Sequence, residues 1–260
     1  MLHGHTVVPF DQSARSPSSD PNTIGKQKMY KVLKVLFAFV EQPKNLITNV
    51  MGIFLIGVIV RVTMILVGGT YSAPRHFELE LVAISLSEVG SYANAFGSSS
   101  GPTAHFAPIY PIFLALIFKI FGTDVMSELI RQVFNTVFIA FHYALLPFLA
   151  KACRLPVSAG VLAGLLGAIL PFHFLSEVRG QESALAALAL VCLCLLSLKY
   201  MSSRNIGQLR AVILGASWGV GALITPSLIP VLGGFMFLRG ITSYGDSFFS
   251  FIKEVATIGV

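Results

Sequence analysis

The sequence predicts an all-α protein, a polytopic transmembrane helical bundle with about six spans and interfacial helices in its first outer loop. Hydrophobic residues make up 55% of the 260 residues and charged residues only 12%, with a mean hydropathy of +0.78. A soluble domain of this length would need far more charge on its surface. The apolar residues also occur in runs of about 20, the length that crosses a hydrocarbon core.

The N-terminal residues 1–45 are polar and predict a cytoplasmic segment whose first part is disordered. Within it, Lys26–Val40 is basic and amphipathic, which favours a position on the membrane surface. The first span is predicted at Leu46–Val67 and contains Arg61. Two interpretations of this arginine stay open, since it could extend toward the interface or face a polar cavity.

Residues 68–131 are predicted to form a long outer loop. Inside it, Pro108–Phe121 is apolar but only 14 residues long, which favours a helix in the plane of the interface. The segment from Ala211 is too long for one span and is interrupted at Thr225-Pro226, so it predicts two short helices. The later spans are predicted at Gln132–Ala150, Val157–Leu175, Ser183–Leu198 and, in two parts, Ala211–Leu238. The membrane domain thus covers 46–239, and 240–260 form a tail.

The basic residues predict the orientation. Lys and Arg number 18, and all but five lie in segments on one side of this topology, which the positive-inside rule makes cytoplasmic. The exceptions are Arg61, Arg75, Lys119, Arg131 and Arg179. The chain is therefore predicted to lie in the plasma or inner membrane with both ends inside. The net charge of +6 fits this pattern better than a nucleic-acid partner, because the basic residues are scattered.

Neither the cysteines nor known enzyme motifs indicate a function for this sequence. Cys153, Cys192 and Cys194 lie in or beside apolar runs and are interpreted as buried packing residues rather than metal ligands or disulfide partners. The sequence contains no phosphate-binding glycine loop, nucleophile elbow or zinc-protease motif. His142, inside a predicted span, is expected to make an interhelical hydrogen bond.

Carboxylates collect on the predicted outer side, and those of a helix beginning near Phe77 are the most informative. At 100° per residue, Glu78 and Glu80 point about 200° apart. Glu78 shares the more apolar side with Val82 and Ser85. It could be a first-turn glutamate favoured by the helix dipole. It could also be a general base whose pKa is raised by partial burial in a cavity.

A second outer connection, Glu177–Glu182, contains Arg179 between two acids. One interpretation is a solvated turn with an internal ion pair. The other gives Arg179 the role of holding a phosphate, with Glu182 ordering polar groups at the mouth of a helix.

Several stretches resemble the first outer loop and later segments of the GT-C membrane glycosyltransferases, more narrowly the bacterial family-39-like branch with protein mannosyltransferase and aminoarabinose transferase relatives. The most specific piece is the run from Gly101 to Pro111, GPTAHFAPIYP. The other stretches are Glu78–Phe96, Phe118–Gly122, Pro171–Ser183 and Gly221–Pro226. Members of this branch are longer, so the chain is expected to be the N-terminal part of such an enzyme.

The resemblance implies transfer of a sugar from a polyprenyl-phosphate donor to a lipid, glycan or protein acceptor on the non-cytoplasmic side. Glu78 stands where the family carries its acidic residue and is the predicted catalytic base. The predicted substrate-binding and phosphate-binding residues are Arg75, His105, Tyr110, Arg179 and Glu182. No cofactor is assigned; a divalent metal is a candidate, although no ligand spacing supports one.

Two other functions stay open. The single acid at Glu78 and the short chain also fit a non-catalytic membrane subunit or a degenerate paralogue, which would depend on a stable partner. A transporter is the third class, but Arg61 is the only charge well inside a predicted span, and no broken helices repeat symmetrically.

Overall fold

The computed structural model describes residues 31, 34, 35, 38, 42, 45–74, 76–97, 99–170, 172–179, 182–201 and 208–244. The chain forms two compact units, residues 1–39 and 40–260. Of the predicted amphipathic segment Lys26–Val40, the residues Lys31, Lys34, Val35 and Ala38 are described and helical. The rest of that segment, the predicted disorder before it and residues 245–260 of the tail lie outside the described residues.

The regular elements of the described part of the second unit are helices, which confirms the predicted all-α fold class. A 3₁₀ turn, Pro226–Leu228, joins the last two α-helices. The helices are α1 (Leu46–Gly68), α2 (Glu78–Val89), α3 (Ile109–Phe121), α4 (Val125–Ala152), α5 (Val157–Ile169), α6 (Phe174–Val178), α7 (Ser183–Met201), α8 (Gln208–Ile224) and α9 (Ile229–Tyr244).

Within the described residues, three helices, α1, α4 and α7, are long and apolar enough to cross a membrane. They correspond to three of the six predicted spans. The helices at the other predicted spans, α5, α8 and the segment after Pro226, are apolar but shorter. The predicted interruption at Thr225-Pro226 is confirmed, because α8 ends at Ile224 and Thr225 has an extended backbone.

The predicted span Val157–Leu175 is wrong as one helix. Helix α5 ends at Ile169, and the short helix α6 begins only at Phe174. Leu170 has φ −97° and ψ 96°, the extended conformation that a residue preceding a proline prefers. Pro171 in the sequence therefore accounts for where α5 stops.

The helix that contains the predicted second span is longer than that span. Helix α4 begins at Val125 rather than Gln132, so Glu128 and Arg131 are part of it. Because both side chains are charged, the composition of this segment predicts a loop at these two residues. At a spacing of three residues on a helix, however, opposite charges lie side by side and neutralise each other.

Small residues let the central helices α1, α4 and α5 approach closely. A Cβ at Gly57 of α1 would lie 3.3 Å from the Cβ of Ala140 on α4. On α5, a Cβ at Gly160 would lie 2.6 Å from the Cα of Pro147, and one at Gly164 would lie 2.7 Å from the carbonyl oxygen of Tyr143. Such backbone contact is the basis of helix association where the surroundings are as apolar as the side chains.

Gly164→Ala is expected to destabilise the bundle, since its Cβ would meet the backbone of α4 and the Cδ1 of Ile53 at 3.0 Å. Overpacking of this kind costs about 1–3 kcal/mol. Gly215→Ala is the matched control, because no atom lies within 4 Å of its added Cβ and alanine is the better helix former. The melting temperature in detergent should fall for the first variant and stay or rise for the second. Equal melting temperatures would contradict the packing argument.

The cysteine prediction is wrong for two of the three residues. Cys153 and Cys192 are exposed, and Cys194 is intermediate in exposure. All three thiols are free. An apolar run in a chain that faces lipid does not indicate burial, because lipid-facing positions are as apolar as core positions.

The interhelical hydrogen bond predicted for His142 is confirmed. Its Nδ1 lies 2.9 Å from the carbonyl oxygen of Ala187, which joins α4 to α7.

Candidate functional site

Helix α2 presents its two glutamates in opposite environments. Glu78, the first residue of the helix, is exposed, whereas only 1% of Glu80 is exposed. Of the two interpretations of Glu78, its exposure fits the first-turn glutamate and not the partly buried carboxylate. The buried face of α2 runs through Leu79, Glu80 and Ala83, and the polar partner that makes this arrangement stable lies on another helix.

Arg131 of α4 is that partner. Its Nη1 donates to Oε1 of Glu80 at 2.7 Å, and its Nη2 lies 2.8 Å from both carboxylate oxygens of Glu128. Only 1% of Arg131 and 5% of Glu128 is exposed. Burial raises the pKa of Glu80, an effect that the neighbouring Arg131 opposes. One guanidinium thus holds two buried carboxylates from two helices.

Further hydrogen bonds fix this arginine cluster, which we define as Glu80, Glu128 and Arg131. Gln132 donates its Nε2 to Oε1 of Glu128 at 2.6 Å, and its own Oε1 accepts from Thr70 at 2.6 Å. On α2 itself, Oε2 of Glu80 accepts from the backbone N–H of Phe77 at 3.1 Å, one of the first-turn donors that a helix leaves unsatisfied. The cluster therefore fixes both the packing and the beginning of α2.

Tyr110 lies beside the arginine cluster, fully buried at the start of α3. Its hydroxyl pairs with the amide of Asn135, at 3.2 Å from Oδ1 and 3.1 Å from Nδ2. The same Nδ2 donates to the carbonyl oxygen of Val178 at 3.1 Å. Tyr110, predicted to bind substrate, thus contacts the protein interior and links α3, α4 and α6.

Arg179 lies at the edge of the arginine cluster. Its side chain is 21% exposed, its Nε lies 3.6 Å from Oε1 of Glu128, and its Nη2 donates to the carbonyl oxygen of Ala73 at 2.9 Å. The predicted ion pair within its own turn is wrong among the described residues, because Glu177 pairs with Arg61 instead. Among the described residues that were predicted to bind phosphate, Arg179 is the one at the edge of this cluster.

The other predicted ligands lie elsewhere or outside the described residues. His105 is exposed, with its ring 5.7 Å from the ring of Phe96 and 4.8 Å from that of Phe106. Glu182 is half-buried before α7, where its carbonyl oxygen accepts from the N–H of Ala186 at 2.8 Å. Arg75 lies outside the described residues.

The run Gly101–Pro111 folds as a hairpin-like loop that leads into α3. Pro102 forms an antiparallel bridge with Ala93, and Gly101 has φ +80°, a conformation that favours glycine. Tyr92 fixes the other side of the loop by donating its hydroxyl to the carbonyl oxygen of Phe106 at 3.0 Å. The residues that carry the family resemblance therefore have local roles in shaping this loop.

A second buried ion pair lies deeper in the bundle. Arg61 of α1 is fully buried and donates its Nε to Oε2 of Glu177 at 2.8 Å. Tyr143 donates its hydroxyl to the other carboxylate oxygen at 2.6 Å. Arg61 also donates to the carbonyl oxygens of Gly167 and Ala168 at 2.9 and 3.0 Å. Of the two interpretations of Arg61, the structure supports the one in which it faces a polar interior.

Sequence reasoning singled out Arg61 and Glu177 but did not pair them. Of the arginine cluster it named Glu80 without assigning it a role, and it placed Glu128 and Arg131 in the outer loop. A signal was present, because Glu128 and Arg131 are three residues apart beside an apolar run, which is the spacing of a helical ion pair. Within the described residues no group of three His, Cys, Asp or Glu side chains could hold a metal ion.

No protein-family model, curated protein or solved structure matches this chain. The resemblance to the GT-C transferases therefore stays a prediction.

Proposed function

We propose that the chain carries the acceptor-activating end of a membrane glycosyltransferase that uses a polyprenyl-phosphate-linked sugar. The observation that carries the proposal is the contrast between the two glutamates of α2. Glu80 is fixed by Arg131, whereas Glu78 is exposed and makes no hydrogen bond or ion pair within the described residues. A base must keep its carboxylate free for the substrate while its helix is held in place.

The reaction proposed for this end of the protein uses the negative charge of Glu78 and the positive charge of Arg179. Glu78 would accept the proton of an acceptor hydroxyl as its oxygen attacks the anomeric carbon of the sugar. The bond between that carbon and the phosphate oxygen breaks, and the polyprenyl phosphate leaves as an anion. Arg179 is a partly exposed cation at the edge of the arginine cluster and would stabilise this negative charge. The site requires a membrane, which the long apolar helices α1, α4 and α7 support.

A non-catalytic membrane subunit is the second candidate, and one specific observation favours it. The buried carboxylates Glu80, Glu128 and Glu177 each pair with an arginine, so their charges contribute to the fold. The remaining candidate, Glu78, lies on the surface rather than in a closed pocket. In a subunit, the same surface would contact a partner instead of a substrate.

Glu78→Gln is expected to reduce transfer at least about 100-fold, the contribution of a general base, without changing the melting temperature. Glu88→Gln is the matched control, because Glu88 is exposed on the same helix at its other end and should transfer at the wild-type rate. The measurement is sugar transfer in membrane vesicles supplied with a panel of polyprenyl-phosphate-linked hexoses and pentoses. Unchanged transfer by Glu78→Gln would overturn the role of Glu78. No transfer with any donor, together with a stably co-purifying protein, would favour the subunit.

A further inference from the structure

The last turn of α4 and the turn that follows it carry two exposed cations, Lys151 and Arg154. Neither forms a salt bridge within the described residues. The sequence contains no Asp or Glu between Glu128 and Glu177, a stretch that includes all of α5 and most of α4. The positive charge at this turn is therefore not neutralised by either of the helices that form it.

Arg154 also has an unusual backbone conformation. Its φ is +60°, in the left-handed region that favours glycine, where α4 ends and the chain turns toward α5. A side chain other than glycine, asparagine or aspartate is uncommon there. An arginine at this position suggests a role for the side chain outside the turn itself.

An apolar groove of about 250 Å³ begins at the same turn. Cys153, Leu155, Ala159 and Ala163 are exposed along it, so the groove opens on the surface of the bundle. Its lining consists of Leu146, Leu149, Ala150, Cys153, Leu155, Ala159, Gly160 and Ala163. A narrow apolar groove on a helix pair that includes a membrane-length helix fits a hydrocarbon chain.

We propose that this groove binds one acyl chain of an anionic phospholipid, whose headgroup phosphate is held by Lys151 and Arg154. The groove selects for a lipid because its walls offer no polar partner to a sugar or a nucleotide. The two cations select for an anionic headgroup. The positive-inside count predicts that this turn faces the cytoplasmic leaflet, where anionic lipids attract basic residues. This inference does not depend on the proposed transferase activity.

The headgroup, rather than the acyl chain, is expected to set the preference. An acyl chain leaves one apolar environment for another when it moves from the bilayer into the groove, so it contributes little selectivity. Each basic residue near an anionic lipid surface contributes about a fivefold preference. The pair should therefore favour phosphatidylglycerol over phosphatidylcholine by about 25-fold.

The test is native mass spectrometry of the full chain in detergent, titrated separately with phosphatidylglycerol and phosphatidylcholine. Wild type should retain phosphatidylglycerol preferentially, and the double variant Lys151→Gln, Arg154→Gln should lose at least about tenfold of that preference. Arg210→Gln is the control, because Arg210 is an exposed cation at the start of α8 and should leave the preference unchanged. Equal retention of both lipids by wild type, or an unchanged preference in the double variant, would overturn the proposal.

Two further variants separate binding from folding. Arg154→Gly should keep or raise the melting temperature, since glycine is favoured at φ +60°, and should lower phosphatidylglycerol affinity about fivefold. Ala163→Phe should fill the groove from an exposed position and reduce phosphatidylglycerol retention, although both cations remain. Unchanged retention by Ala163→Phe would mean that the cations attract the headgroup without the groove, which contradicts the proposed site.

Discussion

Arg131→Gln is expected to lower the free energy of unfolding by about 3–5 kcal/mol, as loss of one partner from a buried ion pair does. The substitution removes the guanidinium that separates Glu80 from Glu128, which leaves the buried Glu80 without a cation and Glu128 with only Arg179 at 3.6 Å. Glutamine could still donate one hydrogen bond, but it supplies no charge. The measurement is the melting temperature of the detergent-solubilised chain, read by size-exclusion chromatography after heating.

Two comparisons make this prediction specific to the arginine cluster. Lys119→Gln removes an exposed cation from the end of α3 and should leave the melting temperature nearly unchanged. The double variant Arg131→Gln, Glu80→Gln should recover part of the loss, because the remaining Glu128 still has Arg179 at 3.6 Å. If the two single effects simply added, the two residues would not be coupled, and the cluster would not hold α2 as described.

The elements that could be predicted from the sequence are those set by local chemistry. The short helix α3 follows from an apolar run bounded by Pro108 and Gly122, and the interruption between α8 and α9 follows from Thr225-Pro226. The end of α5 was missed, although Pro171 gave a comparable signal. In each case the decisive residues lie within a few positions of the boundary.

The candidate site could be predicted only in part, because its partners are distant in the sequence. Which glutamate of α2 is buried depends on Arg131, 51 residues away, and no helical periodicity within α2 contains that information. The partner of Arg61 is 116 residues away. Sequence patterns indicated that a charge inside a span needs a partner, but the structure was required to identify Glu177.

The second large effect is expected at this pair. Arg61→Lys should still destabilise the bundle, although less than Arg61→Met, because lysine keeps the charge that Glu177 needs but loses the donors to two carbonyl groups. Helix α5 ends at Ile169, so the carbonyl groups of Gly167 and Ala168 have no partner within that helix, and Arg61 satisfies both while it pairs with Glu177.

A lysine carries one compact ammonium and cannot span the carboxylate and both carbonyl groups, which the planar guanidinium of arginine does. Arg61→Met is expected to lose about 3–5 kcal/mol and Arg61→Lys a smaller part of this, measured as the melting temperature in detergent. Arg210→Lys, at an exposed position, is the matched control and should be neutral. The double variant Arg61→Met, Glu177→Leu should regain the part of the loss that comes from an unpaired buried carboxylate, but not the part that comes from the two carbonyl groups. A melting temperature of Arg61→Lys equal to that of wild type would show that charge alone is sufficient, and that the carbonyl groups at the end of α5 do not need the guanidinium.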